Sequence, residues 1–207
     1  ASAADAGAPD ETTPAEEQSA ALPDGDMPVI DMEGTDGQLP RITAECAGAA
    51  EINDDIESRF GYLVADDYCR LRYEACTGLG GRVLSVLIVQ QYDSDFISYM
   101  PYNLDLSTGE RLTGEGLIAL LGVGGEDLAD AELGLMGGEF EYQYGSAAAE
   151  AQAAYNEQLA RTTAPENAEL SRVWFGEGGQ LMFVGRIYSL AGAEFYEYPM
   201  STGYTFP

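Results

Sequence analysis

Thirty-six carboxylates and thirteen tyrosines are the groups with which this chain could do chemistry; histidine and lysine are absent. The most common side-chain bases and amine nucleophiles are therefore missing. Ser-His-Asp and Cys-His arrangements are excluded outright. Paired carboxylates could still hydrolyse a glycosidic bond, one protonating the leaving oxygen and the other attacking or activating water. Asp93 with Asp95, and Asp54 with Asp55 and Glu57, are such groupings. With so many acids, near pairs arise by chance, and neither grouping has a distinctive spacing. No catalytic residue is assigned, and a carboxylate-dependent glycan hydrolase is the alternative to a non-enzymatic chain. Gly122-Val123-Gly124-Gly125 shares only its glycines with a phosphate cradle; it lacks the lysine and precedes two acids, so it reads as a helix terminator. Neither Asp31, Glu33 and Asp36 nor Asp93 and Asp95 fits a calcium loop. Cys46, Cys69 and Cys76 form no C-x-x-C, and without histidine a structural zinc site is not expected. Cys69 and Cys76, seven apart on one strand, point to opposite faces and should not pair, although Cys46 could reach one of them; buried free thiols are expected. Neither a metal nor a cofactor is called for.

The tyrosines offer a different chemistry. A phenol presents a flat apolar face with a polar rim, suited to a glycan or a protein partner. Tyr92, Tyr99 and Tyr102 flank the tip of a hairpin and are the candidate ligand-binding residues; Tyr188, Tyr196 and Tyr198 lie near the C-terminus. Tyrosine also favours sheets, so ordinary strand packing is the competing explanation for all of them.

That hairpin, Gly81 to Arg111, is the stretch around which the chain is organised. Val83–Val89 is almost continuously apolar, as for a strand covered on both faces. After a polar break, Ile97–Leu106 carries Met100, Tyr102, Leu104 and Leu106 on one face, and Ser107-Thr108-Gly109 ends the run. Val86, Ile88, Leu104, Phe183 and Ile187 are expected to be buried together. Ahead of the hairpin, Leu39–Ala47 reads as a short strand opened by Pro40. The spacing of Ile52, Ile56, Phe60 and Leu63 predicts a helix over 49–63. Tyr68–Cys76 alternates, with Cys69, Leu71, Tyr73 and Ala75 inward. Beyond the hairpin, Thr113 caps a helix carrying Leu117, Ile118, Leu120 and Leu121. A second helix, Glu126–Met136, has Leu128, Leu135 and Met136 on one side and stops at Gly137-Gly138. Ala147–Arg161 is a third. Ser171–Phe175 and Leu181–Leu190 form a last hairpin, followed by an extended piece, Phe195–Tyr198. Adjacent strands joined by tight turns give an α+β fold, an antiparallel β-sheet with helices packed on it, over residues 39–207.

Residues 1–38 differ in kind. They are rich in Ala, Asp, Glu, Pro and Thr, and read as a disordered acidic linker that cannot bury enough to order itself, although Met27–Ile30 could dock locally. Ten acids and no base fall within residues 1–39, leaving 26 acids against nine arginines beyond, a net charge of −17. Such a surface repels nucleic acid and anionic lipid. It serves solubility, or it attracts a cationic partner. No apolar run approaches the ~18 residues of a membrane span, and the polar start shows no signal peptide.

Several short motifs resemble a known family. They are Pro40-Arg41-Ile42, Ile52-Asn53-Asp54-Asp55-Ile56, Leu84-Ser85-Val86, Tyr102–Gly109, Leu112-Thr113, Gly179–Phe183 and Tyr188–Gly192. Together, over about residues 39–200, they resemble the paired domains of unknown function found in the lysozyme-sensing anti-sigma factor RsiV and in front of some peptidoglycan deacetylases. Many members carry a Gly-Ala-His segment between the two hairpin strands; here Asp95-Phe96-Ile97-Ser98-Tyr99 stands in its place. The resemblance implies an extracellular module associated with the bacterial cell envelope, anchored through a preceding N-terminal segment or secreted. It further implies a non-catalytic, binding or sensing role, with a basic protein or a cell-wall glycan as ligand.

Overall fold

The computed structural model describes residues 29–30, 39–64, 66–93, 96–191 and 194–207. The fold is α+β, as the residue patterns require, but its strands divide into three antiparallel sheets rather than one. A small ladder joins β1 (Val29–Ile30) to β2 (Arg41–Ile42). The expected linker is thus interrupted at Val29–Ile30, whose apolar pair finds backbone partners. The rest of residues 1–38 lies outside the described residues. The expected first strand, Leu39–Ala47, shrinks to the two residues that pair with β1, and α1 begins at Ala47 and runs to Phe60. A 3-10 turn, Gly61–Leu63, continues it to the end of the predicted apolar stripe.

The main sheet has the order β3 (Cys69–Gly78), β4 (Val83–Tyr92), β5 (Ile97–Asp105) and β6 (Glu110–Leu112). The turn from β3 to β4 places Leu79, Gly80 and Gly81 all at positive φ, which is why two glycines stand there. The central strand β4 is covered on both faces, as its unbroken apolar run demands. Leu84, Val86 and Ile88 pack with Leu104 and Tyr102 of β5, Cys69 and Leu71 of β3, and Ile52, Ile56 and Phe60 of α1. On the opposite face Leu87 and Val89, with Tyr99 of β5, meet Trp174 and Val184.

Those last two residues belong to the third sheet, β7 (Val173–Phe175), β8 (Gln180–Tyr188) and β9 (Phe195–Thr205). Its other face carries Val173, Phe175, Leu181, Phe183 and Ile187 into a second large core. That core is closed by three helices, α2 (Gly114–Leu121), α3 (Gly125–Tyr144) and α4 (Gln152–Thr162). The layers therefore run helix, sheet, sheet, helices. All five residues expected to share one core are buried, yet they are split: Val86, Ile88 and Leu104 lie under α1, Phe183 and Ile187 under α2–α4. Alternation along a strand predicts burial on a face; it does not say which layer that face meets.

Thr113 caps α2 as expected, its Oγ1 accepting from Gly116 N at 3.0 Å, and Gly122 ends it at φ 66°. The predicted stop at Gly137-Gly138 does not occur. The helix continues because Leu128, Glu132, Met136 and Phe140, four residues apart, form one buried stripe. Gly137 is itself buried within 3.0 Å of Thr163 when a Cβ is added, so tertiary packing offsets its poor helix propensity of about 1 kcal/mol. Leu135, expected inside, faces outward. The third predicted helix starts later, at Gln152, after a 3-10 turn at Gly145–Ala147. Strand β9 runs through Pro199 to Thr205, seven residues past the predicted end; as an edge strand it tolerates the missing N–H.

Polar groups lock the two sheets face to face. Ser85 Oγ donates to Asn103 Oδ1 at 2.6 Å and accepts from Phe175 N at 2.9 Å, while Asn103 Nδ2 donates to Val173 O at 2.8 Å. Both side chains are buried, and together they satisfy backbone groups of β7, an outer strand with one ladder neighbour. Further along, Arg172 grips Glu197 with two bonds, Nη1 to Oε1 at 2.5 Å and Nη2 to Oε2 at 2.7 Å. The same pair holds the Tyr99 backbone: Tyr99 N donates to Glu197 Oε2 at 3.2 Å, and Arg172 Nη2 donates to Tyr99 O. Arg186 reaches Glu169 at 2.6 Å and Glu197 at 3.7 Å, completing a four-residue network.

Candidate functional site

The structure does not bring the three candidate tyrosines together. Tyr102 is only 2% exposed and lies in the α1 core, its ring covered by the Arg111 guanidinium at 5.4 Å. Tyr99 is 7% exposed and packs on the other face, between the sheets. Burial raises the pKa of both phenols, and the Asp55 carboxylate pushes Tyr102 further up. These two are packing residues, as the strand preference of tyrosine allows. They stand three apart on one strand, so their side chains point in opposite directions. Only Tyr92 stays at the surface, half-buried at the end of β4.

Around Tyr92 a different aromatic group assembles. The Phe96 ring lies 6.3 Å from its ring, and Tyr92 N donates to Phe96 O at 2.9 Å. Cys69 is its partner across the ladder, and Gln90 Nε2 donates to the Tyr92 hydroxyl. Burial first, and then the nearby Cys69, Tyr62 and Asp66, raise the Tyr92 pKa. Tyr62, on the turn after α1, and Tyr68, just before β3, are 74% and 72% exposed. Three local features fix their positions. Asp66 N donates to Leu63 O at 3.0 Å, closing the chain after α1; Asp66 Oδ1 accepts from Tyr68 N at 2.9 Å; and Asp93 N donates to Tyr68 O at 3.2 Å. Asp67 and Asp93 are exposed alongside. Sequence reading missed Tyr62 and Tyr68. The available signal was the Asp66-Asp67-Tyr68 run just outside the alternating strand, where a side chain has no core to enter.

The carboxylate groupings fare differently. Asp55 is held by Arg59 at 2.9 Å and Arg111 at 3.3 Å, and these charges keep its pKa below the ordinary value despite burial. Asp54 faces solvent, and Asp95 lies outside the described residues. Asp105 is buried; burial would raise its pKa, but bonds from Arg82 and Ser107 outweigh that and bring it to about 2. Among the described residues no group of three or more His, Cys, Asp or Glu could hold a metal ion. The residues Asp31, Glu33 and Asp36 lie outside them. All three cysteines are free, Cys69 buried and the others half-buried. Cys76 borders an open cavity of about 420 Å³ with Glu177 and Pro207. Burial, then Glu74 and Glu177, push its thiol up, which disfavours the thiolate a nucleophile needs.

One carboxyl is out of place. Glu132 sits in the apolar stripe of α3, 1% exposed, and its Oε1 has no hydrogen-bond partner among the described residues. Burial, with the Glu169 charge added, raises its pKa from 4.5 to about 7. The folded state therefore holds this proton more tightly than the unfolded chain. Its stabilising effect is complete below pH 4.5 and is lost as pH rises through about 7. Glu132→Gln should match the parent in urea unfolding at pH 4 and exceed it at pH 8 by roughly 1–3 kcal/mol. Equal differences at both pH values would show that Glu132 is not protonated in the fold.

Comparison with known proteins finds no matching family model, no matching curated protein and no matching solved structure.

Proposed function

We propose that this chain is a non-enzymatic binding or sensing module of the bacterial cell envelope, extracellular and either anchored or secreted, whose ligand is a cationic protein or a cell-wall glycan. The observation that carries this reading is how the charge is distributed. Arg59, Arg82, Arg111, Arg172 and Arg186 are paired with carboxylates of the same fold. The acids of α1 and α3, among them Glu51, Asp54, Glu57, Glu126, Asp127, Asp130 and Glu141, face solvent. The outward field is thus strongly negative, which speeds encounter with cations and disfavours anions. The short motifs that resemble the RsiV-like module support the same reading, since a lysozyme-sensing relative engages a basic protein.

A panel of basic proteins and cell-wall fragments, tested for binding by surface-based kinetics, addresses this directly. At least one basic protein should bind at low salt. Its association should slow markedly between about 0.05 and 0.5 M salt, because the screening length shrinks from roughly 14 to 4 Å. Failure of every ligand at low salt, or association indifferent to salt, would leave the acidity as a solubility device.

A further inference from the structure

We propose that β3 pairs edge to edge with β3 of a second copy of this chain, antiparallel, about a two-fold axis that sets Tyr73 opposite its own counterpart. This goes beyond the cationic-partner reading and does not depend on it.

The outer side of β3 is a backbone template. Asp93 N donates to Tyr68 O, so these two residues form a bonded pair at the end of the β3–β4 ladder, and the register carries that phase along the strand. Arg70, Arg72, Glu74 and Cys76 therefore direct their backbone groups toward β4. Leu71, Ala75 and Thr77 direct N–H and C=O the other way, where no strand pairs among the described residues. The β4–β5 ladder gives the same phase. Leu106 N donates to Arg82 O and Tyr92 N to Phe96 O, so even-numbered residues of β4 bond to β5 and odd-numbered ones to β3.

Open sheet edges are ordinarily guarded by shortness, proline or a bulge. The edge strands β6 and β7 have three residues each. Strand β9 carries Pro199, and its ladder with β8 shifts register between Gln180 and Met182. By contrast β3 is ten residues long, contains no proline and keeps an unbroken register.

Charge selects the occupant of this edge. Arg72 and Glu74 are both exposed, and neither belongs to a salt bridge among the described residues. With Tyr73 at the centre, Arg72 of each copy faces Glu74 of the other, and Leu71 faces Ala75. Moving the centre by one residue sets Arg72 against Arg72 or Glu74 against Glu74, and like charges directly opposite destabilise a strand pair. The side chains that would repel another strand thus fix one register for a second copy. On the α1 face, Tyr73 and Ala75 are only half-buried, and the added strand would extend the cover over them. Each copy carries a net −17 over residues beyond 39, but at physiological salt that repulsion is screened over about 8 Å, whereas the strand contacts are closer. Backbone pairing and a few side chains make this a contact of the weak, reversible class.

Sedimentation equilibrium of the full chain at physiological salt, from micromolar to near-millimolar protein, tests the proposal. The parent should show a monomer–dimer equilibrium. Arg72→Glu or Glu74→Arg alone should weaken it roughly 10- to 100-fold, because two attractive cross-strand pairs become repulsive. Glu74→Arg makes each copy less negative, so a dimer opposed only by net charge would tighten instead. An equimolar mixture of the two single variants should associate like the parent, and so should the double variant Arg72→Glu with Glu74→Arg, since each arrangement restores opposite charges across the axis. A parent that stays monomeric over the whole range would overturn the proposal. So would a dimer indifferent to both reversals, or one that neither the mixture nor the double variant restores.

Discussion

Glu197→Ala is expected to cost about 3–5 kcal/mol, the range seen when one partner of a buried ion pair is removed. Glu197 and Arg172 are both buried, and the pair is the polar hinge pin between the sheets. Without the carboxylate, Arg172 keeps Tyr99 O and a more distant Glu169 at 3.8 Å, while Tyr99 N loses its acceptor. The cost is thus that of a stranded charge and an orphaned amide, not the net worth of the pair. Replacing both partners, Arg172→Met with Glu197→Leu, should recover much of the loss, since well-packed apolar residues substitute for a buried pair without large penalty. Acid offers an independent readout. Burial would raise the Glu197 pKa, but Arg172, Tyr99 N and Arg186 bring it below the ordinary 4.5. Its contribution is present above pH 4.5 and fades as pH falls through the lowered folded value. Urea unfolding of the single and double variants measures both effects; a single-variant loss below about 1 kcal/mol would mean that the pair does not hold the sheets together.

Ile88→Ala should destabilise by roughly 2–5 kcal/mol, the cost of an unfilled core cavity plus lost transfer energy. Ile88 is 1% exposed at the middle of β4, with Tyr73 and Met100 opposite it on the neighbouring strands. Both flanking strands and α1 pack there, so little of the surrounding structure can collapse into the space. A variant that melts like the parent would show that the hairpin is not the organising element.

The composition of Val83–Val89 was enough to make β4 a strand covered on both faces, because no solvent-facing strand tolerates seven consecutive apolar or small residues. Alternation in Cys69–Ala75, the stripe Ile52–Ile56–Phe60 and the Thr113 cap likewise act within a few residues, and each appears where its local pattern put it. Tertiary structure decided what covered each face. Leu104 and Phe183 both read as core, yet one meets α1 and the other α2–α4, since neither periodicity nor hydrophobicity names the layer across the gap. Gly137-Gly138 reads as a stop, and packing against Thr163 overrode it. The same division separates the tyrosines. Thirteen phenols in a β-rich chain announce themselves by type alone, but Tyr99 and Tyr102 lie in ladders with a layer on each side, whereas Tyr62 and Tyr68 sit at the ends of elements. Burial of an aromatic ring depends on what the rest of the chain brings against it, and that is settled by contacts between residues far apart in sequence.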